Sequence, residues 1–263
     1  MTAPSRVVVG FDGSPPAQQA LTWGAEAAER HHVPLLVLVA AGDPGYGGYS
    51  PLVVPGRAKA EEWAALAHDL LVASGHEGRT AVAVDQLPQR ALVDASSPTS
   101  LVVVGARGHG RASGVVLGSV SQPVARHARG PVVVVRPPRD ADARRIVVGL
   151  DGSPASERAL DLALREAAAD DRPLTAIHAC TGGAHRAGDP PPWRGIDERR
   201  FPGVPVERVE VVAAPCEALV AASGSAHLVV VGAGHHRAVD ALVGGSVSQD
   251  VLREARCSVA VVP

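Results

Sequence analysis

Four residues between Leu101 and Val135, in LVVVGARGHGRASGVVLGSVSQPVARHARGPVVVV, are spaced to receive an anion: Gly105, Gly108, Gly118 and Ser119, as G-x2-G-x9-G-S. Gly105 and Gly108 permit backbone conformations, and an approach by a ligand, that a Cβ would obstruct. Gly118-Ser119 is expected to open a helix, whose free N–H groups and dipole favour negative charge. Ser119 and Ser121 add hydroxyl donors at the same end. Together they describe a phosphate cradle without a lysine. The same glycines also fit plain turns of a tightly packed α/β domain, and spacing alone does not separate the two readings.

Better-known phosphate loops do not fit. GxxxxGK[ST] is absent, and the single lysine, Lys59, lies elsewhere. No GxGxxG follows the first strand, and a receiver-type domain needs a lysine where this chain has Arg136. Asp12 is the one acid placed near the loop, ready either to serve it or to brace a turn. With no positioned general base, no catalytic residue is assigned and any ATP hydrolysis is expected to be slow.

The elements that must hold these residues come twice. Val7–Pro15, VVVGFDGSP, returns as Ile146–Pro154, IVVGLDGSP, at an offset of 139, and Gly118–Val135 shares 12 of 18 residues with Gly245–Val262 at an offset of 127. The chain is a tandem duplication whose second copy is shorter by 12 residues between these ends. In the first copy, strands are expected at Arg6–Phe11, Pro34–Ala40, Thr80–Val84, Leu101–Gly105 and Pro131–Val135. Ser14-Pro15 caps a first helix with a small-residue face. A second helix spans Arg57–Ser74 with Trp63, Leu66, Leu70 and Leu71 inward, and a third spans Pro88–Ala95. Alternating strands and helices imply a doubly wound, five-stranded parallel sheet, order 3-2-1-4-5, with ligands at the carboxyl ends of the strands. Domains are expected at 1–136 and 144–263, joined by the linker 137–143. Pro190, Pro191, Pro192 and neighbouring glycines leave no room for a full second helix in the second copy.

Composition agrees with this class. Apolar residues are 46% and aromatics 3%, so the core must be Val, Leu and Ala packed closely. A net charge of −2 offers no basic stripe for nucleic acid. No apolar run is long enough for a membrane span and no leader precedes the first strand, so a cytoplasmic protein is expected. Cys180, Cys216 and Cys257 match no zinc or redox spacing and read as reduced thiols. The adjacent pairs His31-His32 and His235-His236 diverge on most backbones, so no metal site is assigned.

The segments VVVGFDGSP, LVVVGARGHG and GSVSQ with the PVVVV strand resemble the universal stress protein family in its tandem-domain form, over nearly the whole chain. In that family G-x2-G-x9-G-[ST] is the ATP-binding signature. The resemblance implies an adenine-nucleotide-binding regulatory or stress-response protein, with ATP as ligand and magnesium where it accompanies the phosphates. It assigns Gly105, Gly108, Gly118, Ser119, Val120 and Ser121 to the phosphate side, Asp12 to the ribose and phosphates, and Ala40, often valine in the family, to adenine. In the second copy Asp151, Ala179, Gly232, Gly245 and Ser246 correspond, but His235 stands where the middle glycine belongs. Family members dimerise, often through the last strand, and tandem members pair their domains within one chain. The strands at 131–135 and 258–262 are edges such pairing would cover, so a homodimer is expected as well. The alternative is a nucleotide-independent interaction scaffold. An enzyme using adenylate chemistry is suggested by fold similarity alone.

Overall fold

The computed structural model describes residues 3–42, 56–76, 80–108, 117–140, 142–181, 193, 199–234 and 247–263. These fall into two compact units that divide between Arg136 and Pro137. In the N-terminal unit the order is β1 (Arg6–Gly10), α1 (Pro15–Arg30), β2 (Leu35–Ala40), α2 (Arg57–Ala73), β3 (Thr80–Val84), α3 (Pro88–Ala95), β4 (Ser100–Gly105), α4 (Ser121–His127) and β5 (Val132–Val135). All neighbouring strands are parallel, in the order β3-β2-β1-β4-β5. The C-terminal unit runs β6 (Arg145–Gly149), α5 (Pro154–Ala169), β7 (Leu174–Cys180), β8 (Val206–Val212), α6 (Pro215–Ala222), β9 (Ala226–Gly232), α7 (Val247–Glu254) and β10 (Ser258–Val262). Its strands are parallel in the corresponding order, β8-β7-β6-β9-β10.

The first strand of each unit is a β-branched run with its valines fully buried, as a sheet covered on both faces requires. Each is followed by a helix with the same start: Ser14 Oγ accepts from the Ala17 N–H and Ser153 Oγ from the Ser156 N–H, with proline in the first turn. Gly24 lets α1 lie directly on β1, since a Cβ there would stand 2.4 Å from Val9 Cγ2. Segment 137–143 belongs with the C-terminal unit, where the Arg139 N–H donates to the Arg256 carbonyl (3.2 Å).

Two local expectations are corrected. Helix α2 buries Ala60, Ala67 and Leu71, whereas Leu66 is 38% exposed and Leu70 half-buried. The contact face is therefore the stripe of Ala60, Ala67 and Leu71, and Leu66 lies off it. Helix α4 starts at Ser121; Gly118 and Ser119 lie in the turn before it. Between β7 and β8 the described residues, Trp193 and 199–205, hold no helix, as the prolines required.

The close approach at Gly24 is testable. Gly24→Ala should lower stability by about 1–3 kcal/mol through overpacking, read by denaturant unfolding. Gly203→Ala, where a Cβ meets nothing within 4 Å, should be neutral or slightly stabilising.

Candidate functional site

The site grows from the carboxyl ends of β1, β2 and β4, between β1 and β4 where the winding direction reverses. Asp12, Gly13 and Ser14 form the turn after β1, with Gly13 at φ +76°. The Ser14 N–H and Oγ–H both donate to Asp12 Oδ1, at 3.0 and 2.5 Å. That pair of bonds fixes the half-buried carboxylate and directs its other oxygen toward the glycine loop. A Cβ on Gly108 would lie 2.3 Å from Asp12 Oδ2, so only glycine lets that stretch of backbone pass the acid.

The other glycines act in different ways. A Cβ on Gly105 would stand 2.7 Å from the Pro16 carbonyl oxygen, so this glycine lets the end of β4 pass the first turn of α1. Gly118 donates its N–H to the Ala106 carbonyl (2.9 Å), which brings the turn before α4 beside the end of β4. A Cβ at Gly118 would be tight but not barred, 3.3 Å from the Ala106 oxygen. Ser119 is exposed and Val120 half-buried at the helix start. Ser121 is buried, and its hydroxyl donates to the Ala106 and Gly118 carbonyls (3.3 Å each), which braces the loop.

Ala40, half-buried, ends β2 opposite Val84. Because Gly10 pairs with Leu38, continuing the register sets Ala40 level with Asp12. Trp63, assigned to helix packing by sequence, lies over the turn: its Nε1 would be 2.7 Å from a Cβ on Gly13. The Lys59 ammonium stands 5.9 Å from the Trp63 ring centroid. Arg107 is exposed beside the loop; His109 and Arg111 lie outside the described residues.

In the C-terminal unit half of the arrangement recurs. Gly152 has φ +77°, and the Ser153 N–H donates to Asp151 Oδ1 (2.9 Å). A Cβ on Gly232 would stand 2.7 Å from the Ala155 carbonyl carbon, as at Gly105. Ala179 lies on β7 opposite Val211. Here, however, Asp151 is exposed, and a Cβ on Gly152 would meet no described atom within 4 Å. His235, Gly245 and Ser246 lie outside the described residues. Although Asp151 is exposed, the protein around its carboxyl desolvates it in part and pulls it upward, but hydrogen bonds from Ser153 and Ser156 outweigh this and hold the group below its ordinary range.

Comparisons with known proteins bear on the family and the fold. Residues 4–136 and 143–263 each match the model of the universal stress protein family. The chain is similar to Universal stress protein Rv2623 of Mycobacterium tuberculosis, 34% identical, covering 97% of this chain and 95% of that protein. It is similar to Universal stress protein Mb2019 of Mycobacterium bovis at 30% identity, covering 97% and 94%. The crystal structure of a universal stress protein from Archaeoglobus fulgidus DSM 4304 has a similar fold, with a TM-score of 0.73 at 20% identity over 99% of both chains. Among the described residues no helix is long and apolar enough to cross a membrane.

The lowered pKa of Asp151 gives a signed prediction. The ionised carboxylate stabilises the fold above its unfolded-state pKa, and that contribution is lost as pH falls through the lower folded-state value. Ser153→Ala should move the Asp151 titration upward in carboxyl NMR. It should also cost about 1 kcal/mol in unfolding free energy through loss of the α5 cap.

Proposed function

The chain belongs to the universal stress protein family, and we propose that its N-terminal unit binds ATP at the glycine loop and acts as a nucleotide-responsive regulator. The observation that carries this reading is the convergence of Gly108 on Asp12 Oδ2, which a single Cβ would block. An acid from the end of β1 and a side-chain-free backbone from the end of β4 meet at the switch point of the sheet. Chance packing gives no reason to bring a carboxylate to an empty stretch of main chain.

In this reading Ala40 lies along the adenine. Asp12 Oδ2 accepts hydrogen bonds from the ribose or meets a magnesium ion that offsets the phosphate charge. Gly105, Gly108, Gly118, Ser119 and Val120 face the phosphates. Ser121 acts one step back, by holding Ala106 and Gly118 in place. Ala40 leaves more room beside the base than the valine expected from the family, which weakens the grip on adenine. Phosphate binding relies on N–H groups, hydroxyls and Arg107 in place of a lysine, and Asp12 is the one acid that the described residues bring to the loop. Binding with slow turnover follows, which suits a signal more than a catalyst. In the C-terminal unit no described side chain lies over Gly152 as Trp63 lies over Gly13, and Asp151 is exposed, so one nucleotide per chain is expected.

Isothermal titration with ATP and AMP, with and without Mg²⁺, tests the reading. Wild type should bind with a stoichiometry of one. Gly118→Glu and Asp12→Ala should abolish binding while circular dichroism stays native, and Gly108→Ala should weaken it at least tenfold, about 1.4 kcal/mol. No binding by wild type, or undiminished binding by all three variants, would leave the interaction-scaffold reading in its place. Dimerisation is expected from the family resemblance; light scattering showing only monomer at micromolar concentration would refute it.

A further inference from the structure

We propose that the C-terminal unit carries a metal site of the zinc type, formed by His178, Cys180 and Glu210 at the carboxyl ends of β7 and β8. One ligand atom from each residue lies within 4.8 Å of the other two. Around tetrahedral zinc, bond lengths of about 2.0–2.3 Å set donor separations of about 3.3–3.6 Å. Small side-chain rotations at half-buried His178 and Cys180 and exposed Glu210 close that gap.

Three observations point the same way. First, the trio shares one face of the sheet. His178 and Cys180 are two apart on β7, and Glu210 is the registered partner of His178 on β8. Second, His178 Nδ1 is 2.8 Å from the Leu150 carbonyl. Donating there, the imidazole keeps its lone pair on Nε2, the backing that orients metal-ligating histidines. Third, the trio stands where the duplicated sequence is apolar in the other copy. The offset of 139 matches His178 to Val39 and Cys180 to Ala41, and strand register matches Glu210 to Ala83.

The face identifies why the substitution is tolerated. Gly149 turns toward Leu219 of α6, and Gly149 pairs with Ile177. His178, Cys180 and Glu210 therefore point the other way, to the α5 side. In the N-terminal unit that side of β2 and β3 is covered by α2 through Ala60, Ala67 and Leu71. In the C-terminal unit no such helix exists among the described residues, and Val212, registered with Cys180 on the same face, is 74% exposed. Trp193 borders the site edge-on, 6.3 Å from His178 between ring centroids. This sheet end thus carries nitrogen, sulfur and oxygen donors where the N-terminal unit has Val and Ala.

The donor set suits zinc, with three protein ligands and a fourth position for water. Thiolate and carboxylate charges balance a divalent ion, with neutral imidazole as third ligand. Binding releases the Cys180 proton, so affinity should rise with pH.

Tag-free protein titrated with Co²⁺ under reducing conditions, then with competing Zn²⁺, tests this directly. One equivalent of Co²⁺ per chain should give a thiolate-to-cobalt charge-transfer absorption that Zn²⁺ abolishes. Cys180→Ser should remove the absorption, and His178→Ala and Glu210→Gln should each weaken Zn²⁺ binding at least tenfold. Cys216→Ser should change nothing. An absent band, a band that survives Cys180→Ser, or one removed by Cys216→Ser would overturn the proposal. Repeating the titration on Gly118→Glu keeps the result independent of the nucleotide reading.

Discussion

The N-terminal site depends on how closely the end of β4 passes the first turn of α1. Parallel strands fix the height of each carboxyl end through register, but the lateral gap between a strand end and the next helix is set by side chains. At Gly105 that gap is too narrow for a Cβ, because the Pro16 carbonyl occupies the space. With the strand end held there, the next three residues carry the chain across to Asp12, and Gly108 meets its carboxylate. Asp12 is itself immobilised through Ser14, the residue that caps α1. The start of the helix, the acid and the glycine loop are therefore one mechanical unit. A disturbance of the cap would reach the candidate ligand site without touching it.

Much of this was legible in the sequence because it rests on constraints a single residue can reveal. Ser14-Pro15 announces a helix start, a run of valines announces a buried strand, and Gly105 and Gly108 announce places where a Cβ has no room. The doubly wound order followed from alternation and handedness. What escaped was decided by direction and distance across the fold. Leu66 was placed inward with its neighbours, although α2 buries Ala60, Ala67 and Leu71 and leaves Leu66 off that stripe. Ser121 was given to a ligand because it sits beside Gly118, yet the helix begins at Ser121 and turns its hydroxyl onto the protein. Cys180 was set aside because the three cysteines match no zinc or redox spacing among themselves. Its companions are two residues away on the same strand and across a strand pair, a relation only register creates.

The two copies show what duplication leaves fixed and what it releases. Gly105 and Gly232 keep the same close pass between strand and helix, since losing it would separate sheet from helix in either unit. The aspartate turn is kept too, with glycine at positive φ in both. Beyond the backbone the units part. Where α2 is present, Trp63 covers Gly13 and the outer strands stay apolar. Where the segment is shortened and proline-rich, no described side chain lies over Gly152, and one face of β7 and β8 carries polar donors.

The direction of that change has a physical reason. An apolar strand end left without its helix would expose valine at a cost of roughly 25 cal/mol for each Å² of apolar surface, and would offer a flat edge for aggregation. His and Glu in place of Val and Ala lessen that penalty, because imidazole and carboxylate are solvated where they reach water; Cys180 is itself a small hydrophobe, and Val212 on the same face stays 74% exposed. The replacement also concentrates ligand atoms at the carboxyl end of the sheet, the place where a doubly wound fold receives its ligands. Solvation alone would be met by any polar residues, in any arrangement. It does not account for donors of three chemistries on one face, one of them already fixed by a backbone carbonyl. That combination is what favours a bound ion over simple polar relief.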